Sequence, residues 1–471
     1  MMLFLPELTL LGAGLVLFFL SLAQPDSGRV KTVAIALAGV TLLASLICLK
    51  SEGALFYGAY KVDLFSQLFK VLIALGTFAI LIFSAKDSGI KDKTQSEYYL
   101  FLFMSVFGLM MLVSSVELLA IFISLELSSF AVYVMVPMRK NSEAKGYHVE
   151  AGIKYLLFGV MATGLMLFGM SYIYGLTGTT QLPLIAERLA TMYTQPAAII
   201  AIALVLAGFF YKLAIFPLHF WVPDVYEGAS NETTAFIAAI PKLAAVAILI
   251  RIINLISGDG QAIVTVLIVC ALASMFYGNL SALVQKDVKR LLGFSGISHA
   301  GFVLVGLLTF DPIGYATAIY YITGYLFMNL ACFLVICTVS DNGKNVVTDD
   351  LTGLYKRAPL LSLTLIVGLF GLAGIPPFVG FTGKFMLLLG AFNKGHYILV
   401  ILAAINTGIA IYYYLSIVRL TFCTDPEERL PVTTSRSSKV LAIFLMVVIV
   451  VMGIFPSTFI SIASNSVKLL M

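Results

Sequence analysis

Long apolar stretches separated by short polar breaks run through almost the whole chain. A helix that crosses the hydrocarbon core of a bilayer needs about 20 apolar residues, whereas a membrane barrel shows alternating segments of about 10 residues. The sequence therefore predicts an all-α polytopic membrane protein of about 14 transmembrane helices. These spans lie at about 3–23, 31–49, 64–84, 98–115, 116–138, 151–175, 196–216, 232–256, 261–283, 290–309, 313–339, 359–391, 396–418 and 439–461.

Composition excludes an ordinary soluble protein, because only 11% of the residues are charged and 60% are hydrophobic. Soluble domains carry about 25% charged residues. The first span has no Lys or Arg before Arg29, so it lacks the basic region of a signal peptide and is interpreted as a true span. The cysteines form no CxxC pair, and we predict no disulfide framework and no zinc or iron–sulfur site.

The basic residues predict how the chain is oriented in the membrane. The odd-numbered loops between spans hold about three times as many Lys and Arg residues as the even-numbered loops and the two ends. Because cytoplasmic loops carry the excess of basic residues, the odd loops are predicted to be cytoplasmic and both termini periplasmic. An odd number of spans would remove this bias.

Two spans are interrupted by proline and glycine, and both interruptions predict discontinuous helices, helix 7 and helix 12. The first segment, GFFYKLAIFPLHFWVPDVYEG, contains Pro217 and Pro223, and the second, GLAGIPPFVGFTGKF, contains Gly374, Pro376 and Pro377. Proline removes a helix hydrogen bond, and the freed carbonyls need protein or water partners, so such breaks line cavities. Similar interruptions in two halves indicate an internally repeated transporter, and an offset of five spans places the two units in opposite orientations. Proline and glycine are also common in ordinary membrane helices, so the breaks alone leave that alternative open.

Charged side chains inside apolar stretches are the main functional signal. A lysine or glutamate at bilayer depth costs about 2.5–3.5 kcal/mol and is a functional hypothesis by default. These residues are Lys70, Lys154, Lys212, Lys242, Lys384 and Glu126. Several lysines on separate helices, with few acids to neutralise them, favour a path for charge transfer.

The positions of these charges suggest how they are used. Glu126 lies in the middle of its span, and Lys212, beside a helix break, is its expected partner. Lys242 follows Pro241, which we interpret as a further helix break that exposes carbonyls able to solvate an ammonium group. Lys154 is shallower, so a lysine that reaches the headgroup region is the alternative interpretation.

The magnitudes favour proton transfer over the binding of a large solute. Making or breaking a Glu–Lys pair changes the proton affinity by several pKa units, each worth about 1.36 kcal/mol. Moving one proton across about 150 mV costs around 3.5 kcal/mol, scaled from the cost per 100 mV. His299, in LLGFSGISHAGFVLVG, is a candidate proton relay between the two halves, and a histidine packed against serine hydroxyls is the alternative.

No motif for catalysis or nucleotide binding is found. GFTGKF lacks the upstream glycine and the following Ser or Thr of a phosphate-binding loop. There is no GxGxxG, no metal-like histidine spacing and no nucleophile elbow, so partner subunits or an ion gradient must supply the energy.

These segments resemble the antiporter-like membrane subunits of respiratory complex I, the proton-pumping NADH:quinone oxidoreductase. The resemblance covers nearly the whole chain and is carried by SLELSSFAVYVM, AGIKYLLFGVMATG, AAIPKLAAVAIL, LVQKDVKRLLGFSGISHAGFVLVG and the two interrupted segments. It is strongest to the N-type subunits. The M-type carries a glutamate at the position of Lys384, and the L-type continues into a long lateral helix. The segment ASNETTAF departs from the family, which usually has a proline-containing loop there.

The resemblance implies an organisation into inverted five-helix repeats. Helices 1–3 would occupy 1–97, the first repeat 98–256, the second repeat 257–420, and a cytoplasmic loop with helix 14 would occupy 421–471. It also implies that Glu126 pairs with Lys212, that Lys242 connects the halves, and that Lys384 is the terminal proton donor toward the outside.

The resemblance further implies a setting in the bacterial cytoplasmic (inner) membrane. The chain would bind no cofactor of its own, whereas the whole complex would use NADH, FMN, iron–sulfur clusters and a quinone. Its partners would be the lipid bilayer, an M-type subunit on one side and small quinone-proximal subunits on the other, with no nucleic acid.

Other functions remain open from the sequence. A subunit of a multi-subunit Na⁺/H⁺ antiporter or of a membrane-bound hydrogenase shares this architecture. A structural spacer would not explain the buried charges, and a solute transporter would need a wide polar cavity that the sequence does not indicate.

Overall fold

The computed structural model describes residues 2–23, 26–84, 89–140, 146–192, 195–253, 261–423, 429 and 431–468, and most of these are helical. The first helices are α1 (Leu5–Ala23), α2 (Ser27–Ile47), α3 (Leu64–Phe83), α4 (Gln95–Ser114), α5 (Leu118–Met135), α6 (Tyr147–Thr177), α7 (Leu182–Leu189), α8 (Pro196–Leu213), α9 (Trp221–Gly228) and α10 (Asn231–Ile253). The remaining helices are α11 (Gln261–Ala282), α12 (Val288–Leu307), α13 (Pro312–Val339), α14 (Leu354–Arg357), α15 (Pro359–Ala373), α16 (Val379–Asn393), α17 (Tyr397–Phe422), α18 (Arg436–Ile454) and α19 (Pro456–Lys468). Two short strands, β1 (Gly53–Leu55) and β2 (Tyr60–Val62), form an antiparallel hairpin between α2 and α3.

Among the described residues, 13 helices are long and apolar enough to cross a membrane. The shorter α15 and α16 divide the long stretch 359–391 between them, so the chain is a multi-pass membrane protein of the predicted class. The predicted last span, 439–461, needs correction. α18 ends at Ile454, and α19 begins at Pro456, where the proline ring prevents the helix from continuing unbroken.

The core is centred on α10, in which every residue is buried. α12 and α13 are also mostly buried, whereas α1, α2, α17 and α18 bury only about one third of their most apolar stretch. The peripheral helices therefore offer apolar surface to lipid or to other membrane proteins.

Both interrupted spans end their first half in the same way. After α8, Ala214 adopts a left-handed conformation (φ 66°), and the amides of Ala214 and Ile215 donate to the carbonyls of Tyr211 and Phe210. After α15, Gly374 adopts φ 83°, and the amides of Gly374 and Ile375 donate to the carbonyls of Gly371 and Phe370. This is the double hydrogen bond of a Schellman C-cap.

Pro217, Pro376 and Pro377 lie in these two breaks, and the peptide bonds before Pro217 and Pro377 are cis. Pro223 does not lie in a break. It is in the first turn of α9, where its missing amide proton leaves no intrahelical hydrogen bond unmade.

Pro241 does not break its helix either. α10 continues through it from Asn231 to Ile253. Tight packing on all sides explains this, because neighbouring helices support the backbone where one hydrogen bond is missing.

Two further pairs of features recur along the chain. Glu117 caps α5 by accepting from the Ala120 amide and bridges to Gln181, and Asp287 caps α12 by accepting from the Arg290 amide and bridges to Val347. The start of α5 is therefore joined to the segment after α6, and the start of α12 is joined in the same way to the segment after α13.

The second pair consists of glycines at helix crossings. A Cβ added at Gly108 would lie 2.6 Å from the Ser128 amide nitrogen, and one added at Gly278 would lie 2.8 Å from the Ser298 amide nitrogen. α4 therefore approaches the backbone of α5 as closely as α11 approaches that of α12.

Candidate functional site

Three of the predicted lysines lie inside the helix bundle. Lys212, Lys242 and Lys384 are 2%, 1% and 4% exposed, so none reaches the surface of the subunit. Lys212 is in the last turn of α8, Lys242 is in the middle of α10, and Lys384 is in the second turn of α16. We call these three residues the lysine row.

Lys212 is held by a neutral partner. Its Nζ donates to Ser129 Oγ at 3.1 Å, and Ser129 lies on α5, three residues after Glu126. No ion pair within 4.0 Å joins Glu126 to Lys212, although both residues are described, and Glu126 Oε1 is buried without a hydrogen-bond partner. The two side chains thus approach the same region, but the serine hydroxyl and not the carboxylate touches the ammonium group.

Lys242 is held by groups from two other helices. Its Nζ lies 3.4 Å from the Gly296 carbonyl oxygen on α12 and 3.3 Å from the Tyr325 hydroxyl on α13. It also lies 5.2 Å from the centre of the Tyr325 ring, within the range of a cation–π contact. The carbonyls beside Pro241 are not its partners, so the expected role of that proline is not seen.

Gly296 leaves room for the end of the Lys242 side chain. A Cβ there would stand 2.7 Å from Lys242 Nζ. One small cavity is lined by Leu213, Lys242, His299, Tyr321 and Tyr325. The helix break after Lys212 therefore lies beside Lys242 and His299.

His299 lies between tyrosine hydroxyls. Its Nδ1 is 2.6 Å from the Tyr321 hydroxyl, and its Nε2 is 3.2 Å from the Tyr414 hydroxyl on α17. The Tyr414 hydroxyl also shares a hydrogen bond with Ser295 Oγ. Each of these groups can both donate and accept a proton, so they form a connected polar network next to Lys242.

Lys384 is solvated by the end of the preceding half-helix. Its Nζ donates to the carbonyls of Leu372 at 2.9 Å and Ala373 at 3.3 Å, and it lies 5.0 Å from the centre of the Phe302 ring. The last carbonyls of a helix have no intrahelical donor and carry partial negative charge. The break therefore supplies acceptors for a buried ammonium group without any carboxylate.

Lys154 lies apart from the lysine row and is half-buried. Its Nζ contacts Asp224 Oδ2 at 2.5 Å and Glu150 Oε1 at 2.6 Å. Arg290 joins the same network through Asp224 at 2.8 Å and Glu227 at 2.6 Å. These acids and Arg290 line a cavity of about 110 Å³.

Lys70 is also fully buried, but it pairs with Glu7 on α1 and not with the lysine row. Sequence reasoning assigned no partner to Lys70, because Glu7 lies on another helix far away in the sequence. It also missed Ser129 and the tyrosines of the network, which cannot be told from ordinary packing residues without knowing which helix face they occupy.

No metal site is apparent in the part of the chain that the structure describes. Within those ranges there is no group of three or more His, Cys, Asp or Glu side chains that could hold an ion. Cys48, Cys270, Cys332 and Cys337 are buried free thiols, and Cys423 is exposed.

Comparisons with known proteins concern the family and the fold. Residues 115–410 match the family described as "NADH:quinone oxidoreductase/Mrp antiporter, TM". The chain is 49% identical to NADH-quinone oxidoreductase subunit N 2 of Opitutus terrae, over 98% of this chain and 97% of that protein.

Solved structures show the same fold. A chain of respiratory complex I from Thermus thermophilus with bound aureothin matches with a TM-score of 0.84 at 28% identity, covering 98% of this chain and 99% of that one. A chain of the Mrp complex from Dietzia sp. matches with a TM-score of 0.86 at 22% identity, covering 100% and 97%, and this likeness concerns the fold alone.

Proposed function

Because the chain belongs to the NADH:quinone oxidoreductase/Mrp antiporter transmembrane family, we propose that it is the N-type proton-translocating membrane subunit of complex I. In this role it couples quinone reduction in other subunits to the transfer of protons across the membrane. The redox chemistry, with NADH, FMN, iron–sulfur clusters and quinone, belongs to those other subunits.

The observation that carries this proposal is the burial of three ammonium groups on neutral acceptors. A structural spacer gains nothing from such charges, because the cost of removing them from water is offset only by hydrogen bonds to Ser129, Gly296, Tyr325 and the end of α15. A lysine held in this way is close to exchanging its proton, since small changes in its surroundings alter the balance between the charged and neutral forms.

Glu126 is the group proposed to make that change at Lys212. Its carboxylate lies one turn of α5 from Ser129, the residue that holds Lys212. A movement that brings the carboxylate against the ammonium group would favour the charged lysine, and its withdrawal would favour release of the proton. Quinone reduction elsewhere in the complex would drive this movement.

From Lys212 the proton would pass to Lys242, which lines one small cavity together with Leu213, the residue that follows Lys212. Tyr325 and His299 would then carry it toward Lys384, which would deliver it to the outside. Lys154, with Asp224 and Glu150, would exchange protons with the opposite membrane face.

The matched features support two inverted repeats. Three kinds of feature relate spans 4–8 (α4 to α10) to spans 9–13 (α11 to α17). They are the C-caps after α8 and α15, the acidic caps of α5 and α12, and the close glycines on α4 and α11. Because equivalent spans are five apart, they run in opposite directions through the membrane. We therefore propose repeats at residues 98–256 and 257–420. Spans 1–3 precede them at residues 1–97, and the final loop and span 14 follow at residues 421–471.

The proposed setting is the bacterial inner membrane, with both termini periplasmic. The neighbours would be an M-type subunit on one side and small quinone-proximal subunits on the other. The excess of basic residues in the odd-numbered loops supports this orientation.

The test is a set of substitutions in the complete complex, with Lys212, Lys242 and Lys384 each replaced by Met. Methionine keeps the length and most of the volume of lysine but cannot carry a proton. Proton uptake per electron transferred from NADH to quinone is measured in sealed membrane vesicles. A lower ratio in each assembled variant is expected, and an unchanged ratio in all three would remove the lysine row from the mechanism.

A Na⁺/H⁺ antiporter subunit is the second candidate, supported by the shared fold of the Mrp chain. Purification of the tagged chain from its native membrane separates the two functions. Copurification with quinone-reducing subunits supports the first, whereas an assembly that exchanges Na⁺ for H⁺ without oxidising NADH supports the second.

A further inference from the structure

A second pair of opposite charges is buried at the end of the bundle where α1 begins. Lys70 on α3 and Glu7 on α1 are both 0% exposed, and Lys70 Nζ lies 2.8 Å from Glu7 Oε1. The hydroxyl of Tyr60, in β2, donates to the same carboxylate oxygen at 2.6 Å and accepts from Lys70 Nζ at 3.0 Å. We call Glu7, Tyr60 and Lys70 the α1–α3 triad.

The hydrogen bonding of the triad is incomplete. A buried ion pair stabilises a fold only when its remaining lone pairs are also satisfied, because removing both charges from water opposes their attraction. Glu7 Oε2 has no hydrogen-bond partner, and neither polar atom of the fully buried Gln67 side chain, one turn before Lys70 on α3, has one. Buried polar atoms left in this way indicate sites for ordered water. The triad therefore leaves buried polar atoms unpaired, which is unlike a contact that serves only to stabilise the fold.

A second buried ion pair lies close to the triad. Asp63, which caps α3, pairs with Arg251 of α10 through both carboxylate oxygens at 3.0 Å. Burial together with Glu7 holds the pKa of Tyr60 well above its usual range, so its hydroxyl stays neutral. Ser114, at the end of α4, is uncharged. Glu7 and Lys70 are the remaining pair of charged side chains in this cluster.

Helix α3 connects this site to the surroundings of the central lysine. A Cβ added at Gly76 would stand 2.2 Å from Ile240 Cδ1 on α10 and 3.1 Å from Leu326 Cδ1 on α13. These residues are close in sequence to Lys242 and Tyr325, respectively. Gly76 is six residues beyond Lys70, or about 9 Å along the helix axis. The triad thus lies between the level of Lys242 and the membrane face where α1 begins.

We propose that the α1–α3 triad is a second proton-exchange site, through which protons pass between the level of Lys242 and that membrane face. In the elementary step an Nζ–H bond of Lys70 breaks as its proton moves to the Tyr60 oxygen. The Tyr60 proton moves to Glu7 Oε1 and forms an O–H bond there. The products are a neutral amine and a neutral carboxyl group, which can each exchange a proton with water. This inference rests on the proposed function but concerns residues outside the lysine row.

The test uses the complete complex and compares single with paired substitutions. Glu7→Gln or Lys70→Met alone leaves a buried unpaired charge, so less assembled complex is expected. The double variant leaves no charge, and we expect it to assemble but to move fewer protons per electron than the native complex. The matched control is Asp63→Asn with Arg251→Met, which removes the neighbouring ion pair and should keep the native ratio once assembled.

The outcomes separate the possible roles. A double variant that assembles and keeps the native ratio makes the triad a structural contact and overturns the proposal. If the double variant does not assemble, Tyr60→Phe removes only the bridging hydroxyl, and an unchanged ratio there overturns the proposal equally.

Lys212→Met, measured in parallel, tests the proposed function itself. A native ratio in that variant would count against proton transfer along the lysine row whatever the triad variants do. A lower ratio in Lys212→Met beside native ratios in the triad variants would reject this inference alone.

Discussion

Each buried lysine of the row is held by a different kind of neutral acceptor. Lys212 donates to a serine hydroxyl, Lys242 to a carbonyl and a phenol, and Lys384 to two carbonyls at a helix end. Neutral acceptors stabilise an ammonium group without cancelling its charge. The charge of each lysine is therefore stabilised by hydrogen-bonding dipoles and not by a paired carboxylate.

A residue-scale prediction concerns Lys384. Lys384→Ala removes the titratable group, and we expect proton translocation to fall by about a hundredfold or more, the contribution of one positioned proton carrier. Lys384→Glu keeps a titratable group and should be tolerated better. An ionised carboxylate would repel the carbonyls of Leu372 and Ala373, whereas the protonated carboxyl group could donate to one of them. The measurement is the initial rate of proton uptake into vesicles at several pH values. Equal loss in both variants would argue that only the positive charge matters.

At this scale the sequence predicted burial better than it predicted contacts. The depth of Lys212, Lys242 and Lys384 follows from their positions within apolar stretches. The contact between Glu126 and Lys212 was expected from the helix break beside Lys212 and from the family resemblance, but neither specifies which face of α5 turns toward α8. Ser129, three residues further on, occupies that position.

The two discontinuous spans show how elements, and not single residues, build the acceptors. The left-handed residue after each first half turns the chain away and leaves the last carbonyls free, and at α15 those carbonyls receive Lys384. Prolines and glycines in the sequence predicted both breaks. They did not predict that Pro241 would be accommodated inside α10, because the packing around that helix replaces the missing support.

An element-scale prediction uses the two matched glycines. In Gly108→Ala the new methyl group would stand 2.6 Å from the Ser128 amide nitrogen, and in Gly278→Ala it would stand 2.6 Å from the Phe294 carbonyl oxygen. Both contacts are with backbone, so we expect each variant to lose about 1–3 kcal/mol of stability. Gly164→Ala and Gly408→Ala, where the methyl group meets nothing within 4 Å, are the controls.

Thermal unfolding of the detergent-purified complex, followed by loss of this subunit, gives the measurement. Similar losses for the two crossings are expected if they are equivalent parts of two repeats. Stability equal to that of the controls in either variant would mean that the crossing can widen without cost.

Across the whole molecule, the orientation in the membrane can be checked with thiol labelling. In a background with the exposed Cys423 replaced by Ser, Tyr57→Cys and Ile313→Cys place thiols on exposed positions of the predicted outer face. Asp341→Cys places one on the predicted cytoplasmic face. A membrane-impermeant maleimide should label the first two in right-side-out vesicles and the third in inverted vesicles. The reverse pattern would invert the predicted topology.

The number and order of spans could be predicted from the sequence because apolar length is a local property. The end of the last span at Ile454 was missed, although Pro456 and the serine and threonine that follow it mark that end in the sequence. The α1–α3 triad was also missed, because Glu7 on α1 and Lys70 on α3 are far apart in the sequence and meet only through tertiary packing.

The complete burial of α10 bears on how the protein is made. This helix touches no lipid in the folded subunit, yet its most apolar window has a mean hydropathy of 2.3, higher than that of most other spans. We therefore expect the high hydropathy of α10 to matter most during biosynthesis, when the nascent helix is inserted from the translocon into the bilayer. Because α12 and α13 follow α10 in the chain, the contacts that hold Lys242 can form only after those two helices have been made.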